Sequence, residues 1–134
     1  MTIEKTIKIN GKDVFMRYCL AAETLFERNV GKNADVFNPI ILEYGDDGKP
    51  SKIDPPSATT DDYIQLAFSA IVAAYTKRDE EIPITASYIM YDAQPEEIAT
   101  LITEITKLRR EWYHVPEIVK PETKPAKPNK QKNV

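Results

Sequence analysis

The stretch Thr2–Tyr18, TIEKTIKINGKDVFMRY, decides the fold class. Ile3, Ile7 and Ile9 fall on one side of a period-two alternation, and Val14, Met16 and Tyr18 resume it after Asn10-Gly11. An Asn-Gly pair between two alternating runs supplies the two positive φ angles of a tight hairpin turn, so residues 2–18 are predicted to form an antiparallel β-hairpin. A two-stranded ribbon is marginally stable alone, and its apolar face must be covered by a helix or by further strands.

The segment that follows, Leu20 to Val30, is expected to be that cover. Leu20, Ala21, Thr24, Leu25 and Arg28 follow helical spacing with Phe26 beside them, and Gly31 stands where a C-terminal cap belongs. Between Asn38 and Ser57, four prolines (Pro39, Pro50, Pro55, Pro56) with Gly45 and Gly48 rule out one continuous helix. Ile40–Tyr44 and Lys49–Ile53 flank Gly45-Asp46-Asp47-Gly48, which suits either a small second hairpin or an exposed loop. Asp46 and Asp47 lack the alternating oxygen ligands and closing Glu of a calcium loop, so no metal site is expected.

Thr59 and Thr60 precede Asp61 and Asp62, the arrangement that caps a helix N-terminus and complements its dipole. A helix is predicted from there to about Lys77 or Arg78, apolar at Tyr63, Ile64, Ala67, Phe68, Ile71, Val72 and Tyr75. Ala70, Ala73 and Ala74 leave it little polar face, which places it at the centre of the core. Ile84–Tyr91 reads as a two-turn helix with Ile84, Tyr88, Ile89 and Tyr91 partly buried, although its β-branched and aromatic content also allows a strand. Pro95 then opens a last helix with Ile98, Leu101, Ile102, Ile105, Leu108 and Trp112 on one stripe. The fold class expected is α+β: an N-terminal hairpin or small antiparallel sheet packed against three to four helices, a single domain over 1–115. Residues 116–134, Lys/Pro-rich, are expected to form a disordered tail.

Composition narrows the function. The chain has 134 residues, 42% hydrophobic and 29% charged, with a net charge of −3. From Glu117 onward five Lys and two Glu give +3, which leaves −6 on residues 1–116. An acidic body with a basic tail has no overall attraction to nucleic acid. The longest apolar stretch, Ala67–Tyr75, is about half of the roughly 20 residues that span a bilayer, and the N-terminus lacks a signal-peptide core. A soluble cytoplasmic protein without a membrane partner is expected.

Catalytic and cofactor chemistry has few residues to draw on. There is one His, one Cys and four Gly. His114 has no Ser or Cys partner at motif spacing, Cys19 has no second thiol, and there is no Walker loop, GxGxxG or HExxH. No enzyme activity, cofactor or metal is expected. Tyrosines and the single Trp concentrate in the helical half, and such side chains favour interfaces because they carry apolar area with a polar tip. Tyr88, Tyr91, Trp112 and Tyr113 are the candidate partner contacts.

The order of these segments resembles the tail assembly chaperones of long-tailed phages and related prophages. The resemblance is carried by Thr6–Val14 as opening hairpin, Arg17-Tyr18, the Ala22–Glu27 helix ending in Val30-Gly31-Lys32, the capped alanine-rich helix Thr60–Tyr75, the short segment Ile84–Tyr91 and the last amphipathic helix. It covers roughly residues 2–112, and departs from the family pattern in the Pro-rich insert and the Lys/Pro tail. It implies a non-catalytic protein that binds the aggregation-prone tape measure protein, assists assembly of tail tube subunits around it, and can self-associate. Two other classes fit the same composition: a virion structural or adaptor subunit, for tail completion or head–tail joining, and a small regulatory protein-binding module.

Overall fold

A computed structural model describes residues 4–114. The Lys/Pro tail expected over 116–134 lies outside the described residues, as does Ile3. In chain order the elements are β1 (Glu4–Ile9), β2 (Lys12–Arg17), α1 (Leu20–Val30), a single 3-10 turn (Ala34–Phe37), β3 (Ile40–Tyr44), β4 (Pro50–Asp54), α2 (Thr60–Arg78), α3 (Ala86–Asp92) and α4 (Pro95–Tyr113). The class is α+β: two separate antiparallel hairpins and four α-helices.

The first hairpin forms as its sequence dictates. Asn10 and Gly11 take φ of 52° and 79°, and Ile7 pairs with Val14 and Lys5 with Met16. The pleat then puts Ile7, Ile9, Val14, Met16 and Tyr18 on one buried face. Lys5 and Lys12 rim that face: Lys5 Nζ lies 3.6 Å from Glu104, and Lys12 Nζ lies 5.1 Å from the Tyr88 ring centre. On the opposite face Lys8 donates to Asp13 at 2.8 Å.

The cover of the hairpin differs from the sequence expectation. α2 and α4 close the apolar face, and α1 packs on α2. α2 can serve both neighbours because Ala67, Ala70, Ala73 and Ala74 keep its middle thin, allowing close approach from more than one side. α1 turns a different face inward from the one its spacing suggested. Ala22, Glu23 and Phe26 are buried, whereas Leu20 is 68% exposed and Ala21, Thr24 and Arg28 face solvent. Phe26 decides the matter by packing on Phe37, with ring centres 4.9 Å apart and planes tilted by 60°. Burying one large aromatic outweighs burying Leu20 at a helix end.

The helix caps follow the sequence closely. The Thr59 hydroxyl accepts from the Asp62 amide at 3.1 Å, and Asp62 Oδ2 accepts from the Thr59 amide at 2.9 Å. Asp62 is 2% exposed, and Lys32 Nζ reaches it at 2.9 Å. Burial alone would raise its pKa, but the Thr59 amide and the Lys32 ammonium outweigh that and hold the carboxyl below its ordinary range. Gly31 ends α1 at φ 79°. Of the two options for Ile84–Tyr91 the helix forms, capped by Thr85, whose hydroxyl accepts from the Tyr88 amide at 3.0 Å. Ile84 and Ile89 are buried, but Tyr91 is 86% exposed rather than partly buried. Tyr88 packs partly buried against the core as expected, whereas Tyr91, two residues on from Ile89, falls on the opposite side of the helix.

α4 carries the expected stripe, with Leu101, Ile105 and Leu108 buried and Ile98, Ile102 and Trp112 packed beside them. Its N-terminus is stitched to the hairpin tip by Glu97. That carboxylate accepts from the Asn10 amide at 2.7 Å, the Gly11 amide at 3.1 Å and the Gln94 amide at 2.8 Å. Those amides, that of Gln94 foremost, keep the Glu97 carboxyl below its ordinary range.

Candidate protein-interaction surface

The insert between Asn38 and Ser57 folds as the second hairpin, and most of its apolar side chains face water. Gly45 and Gly48 shape the turn: the Gly48 amide donates to the Gly45 carbonyl at 3.0 Å, Gly48 sits at φ 79°, and Asp47 accepts from the Lys49 amide at 2.9 Å. Ile41 pairs with Ile53, and the register slips on either side of Glu43. Such irregularities twist a ribbon locally. Ile40, Ile41, Leu42 and Tyr44 are 54%, 38%, 48% and 65% exposed. Successive strand side chains alternate in direction, so this run presents apolar surface on both faces of the ribbon.

Contiguous exposed apolar surface on a soluble domain marks an interaction site more often than isolated exposed residues do. Here Glu43, Asp46, Asp47 and Asp54 intersperse charge along the same ribbon. Charge on an exposed ribbon opposes indiscriminate edge pairing.

The root of the ribbon is held rigidly. The Ala58 amide donates to the Val36 carbonyl at 3.0 Å, which closes the excursion on itself. Arg109 of α4 reaches across to the same place. Its Nη1 donates to Asn38 Oδ1 at 2.6 Å, its Nη2 to the Ala34 carbonyl at 3.3 Å, and its Nε to Glu23 Oε2 at 2.9 Å. Glu23 is 7% exposed and also accepts from the hydroxyls of Tyr18 and Tyr113. The Arg109 guanidinium lies 4.9 Å from the Tyr113 ring centre and 5.8 Å from that of Phe37.

The two phenols and the guanidinium keep fixed protonation at neutral pH. Burial, then the neighbouring Glu23, pushes the Tyr18 phenol far up and the Tyr113 phenol up to about 12. Arg109 loses solvation, yet Tyr18 and Glu23 more than compensate and raise its pKa further. Two protonated phenols and a permanently charged guanidinium around one carboxylate make a clamp rather than a proton relay.

The four aromatic candidates fall at two separated ends. Tyr88 and Tyr91 lie on α3, beside the start of α4; Trp112 and Tyr113 lie at the other end of that helix, about 27 Å long. The Tyr88 hydroxyl accepts from Asn10 Nδ2 at 3.0 Å, while Tyr91 stands free with Met90, itself 50% exposed. Trp112 packs against Tyr18 at 5.7 Å and Tyr113 at 4.8 Å between ring centres. Tyr113 has its hydroxyl committed to Glu23 although the residue as a whole is 43% exposed.

The sequence marked Ile40–Tyr44 as one flank of a possible hairpin or exposed loop but not as a contact surface, and it singled out neither Arg109 nor Glu23. The signal for the ribbon was its run of three apolar residues without periodicity inside a Pro/Gly-bounded segment. Nothing comparable marks Arg109 or Glu23. Among the described residues, no three or more His, Cys, Asp or Glu side chains are grouped to hold a metal ion, and no helix is long and apolar enough to cross a membrane. No protein-family model, curated protein or solved structure matches the chain.

Proposed function

We propose that this protein is a non-catalytic assembly chaperone of a phage or prophage tail, which holds the tape measure protein in the host cytoplasm while tail tube subunits assemble around it. The observation that carries this reading is the exposed apolar ribbon Ile40–Tyr44, rooted in a well-packed body by the Arg109 clamp. A protein that shields an aggregation-prone partner needs apolar area outside its own core, on an element whose exposure does not compromise the fold. The order of hairpin, capped alanine-rich helix and last amphipathic helix, which resembles that family, supplies the partner's identity.

The test is a pull-down with the full chain from cells expressing the tape measure protein and tail tube protein, together with mass spectrometry of purified virions. Capture of the tape measure protein and absence of this chain from virions is the expected pair of results. Presence of the chain in virions at stoichiometric amounts would replace the chaperone with a tail-completion or head–tail adaptor subunit.

A further inference from the structure

We infer that the free edge of β3 takes up an extended segment of the partner as a third strand, and that this segment alternates aliphatic with Lys or Arg side chains. The inference rests on the ribbon being the partner-binding element, and adds the conformation and the charge of what binds there.

The main chain sets the conformation. β3 and β4 form a two-stranded sheet of their own, so the outer edge of β3 carries amide and carbonyl groups that no other described strand takes. A two-stranded ribbon is marginally stable, and a third strand adds hydrogen bonds along the edge and side-chain contacts on each face. Ile40, Ile41 and Leu42 are exposed and, alternating in direction, leave apolar area on both faces. A helix laid on the ribbon covers one of those faces and leaves the edge amides to water. A strand laid along the edge answers the amides and extends both faces at once. The two edges of the ribbon are not equivalent. β4 starts at Pro50, which has no amide hydrogen, is followed by Pro55 and Pro56, and carries Lys52 and Asp54, all of which blunt an edge. β3 has no Pro or Gly between Ile40 and Tyr44 and a single charge, Glu43. Leu42 has no residue opposite it in β4. That bulge twists the edge, which suits one short segment rather than a stack of strands.

Charge selects the occupant. From Ile40 to Gly48 the charged residues are Glu43, Asp46 and Asp47, all acidic and all exposed, whereas Lys49 and Lys52 belong to the returning half of the ribbon. Lys52 stands opposite Glu43 in the ladder, yet among the described residues no ion pair involves Glu43, Asp46 or Asp47. Their carboxylates are open to cations on an incoming strand. A second copy of this chain fits less well. Setting β3 against β3 brings two acidic edges together with no lysine between them, and like charges oppose that pairing. The net charge of −3 on the whole chain likewise draws in a basic segment and turns away an acidic one.

The experiment uses the full chain and short fluorescent peptides of equal length: an alternating Val/Lys strand, an alternating Val/Glu strand, the Val/Lys strand with every amide methylated, and an amphipathic Leu/Lys helix. Affinity is read by anisotropy and amide exchange by NMR. The Val/Lys strand should bind one to one and at least about tenfold tighter than each of the others. It should also slow exchange at the solvent-facing amides within Ile40–Tyr44 and leave those of β4 unchanged. The exposed charge reversals Glu43→Lys and Asp46→Lys together should weaken it about fivefold or more, as should Leu42→Ser with Tyr44→Ser. Equal binding of the acidic and basic strands, tighter binding of the helix, or full binding of the methylated strand would overturn the inference. So would a dimer in sedimentation that disappears with Leu42→Ser and Tyr44→Ser, since the edge would then belong to a second copy. Failure of the tape measure reading is distinguishable: the strand preference would persist while the tape measure protein is not captured. Conversely, capture of that protein by the parent and the charge-reversed chain alike, with no preference among the peptides, would sink the inference alone.

Discussion

Glu23 accepts from two phenols and a guanidinium while almost wholly buried, so exchanging it for Gln leaves Arg109 without a counter-charge in a site that water barely reaches. Breaking one partner of a buried pair costs about 3 kcal/mol or more, and Glu23→Gln should lower the urea midpoint accordingly with the slope unchanged. A loss under about 1 kcal/mol would mean that the pair behaves as a surface contact. The phenols make a second prediction. Tyr113 ionises near 10 when unfolded and at about 12 in the fold, so its contribution is fully present below pH 10 and disappears as pH rises toward 12. Tyr113→Phe should therefore flatten part of the stability decline of the parent chain between those pH values, with Tyr18 supplying the remainder; identical slopes would refute the assignment. Neither Glu23 nor Arg109 stands out in the sequence. A Glu in the first turn of a helix has a sufficient local explanation in the dipole, and an Arg on a helix flank has one in solvation. Their pairing spans 86 residues and exists only once the fold brings the Arg109 side chain of α4 within reach of α1.

The first hairpin was the most legible element, because an Asn-Gly turn and strict alternation leave one register compatible with a buried face. Its attachment to α4 was not legible, since it depends on one carboxylate accepting three amides at a helix start. Glu97→Gln should lower the melting temperature at pH 7. The carboxyl is held below its ordinary value in the fold, so its contribution is present above the unfolded pKa and fades as pH falls through the folded one. The melting temperatures of variant and parent should accordingly converge in acid; a constant gap across pH would show that the carboxylate is not the cause. α1 was legible in its bounds and misread in its inward face, because in an 11-residue helix the two leucines suggest a stripe that a single Phe–Phe contact overrides. The ribbon was legible as one of two alternatives, a small hairpin or an exposed loop, and its apolar contact surface was not, since apolar residues are ordinarily assigned to the core. Leu42→Ser with Tyr44→Ser should leave stability within about 0.5 kcal/mol of the parent, as surface changes do, while Ile105→Ala in α4 should cost about 2–5 kcal/mol. A large loss from the ribbon pair would show that it is structural.

At the scale of the whole molecule, the described residues place a closed core and an open apolar ribbon side by side. The core runs from Ile7 to Leu108 through both strands of the first hairpin and all four helices. The ribbon, by contrast, is held by its own pairing and by the Arg109 clamp at its root, and its loss would leave that core intact. This division separates what folds the protein from what it offers to a partner, and it is the physical basis of the chaperone reading. The most direct measurement is the soluble yield of the tape measure protein when co-expressed with the parent chain or with the Leu42→Ser, Tyr44→Ser chain. The account expects the parent to raise that yield and the equally well-folded ribbon variant to leave it at the level of the tape measure protein expressed alone. A yield unchanged by the parent, or raised equally by both chains, would contradict it.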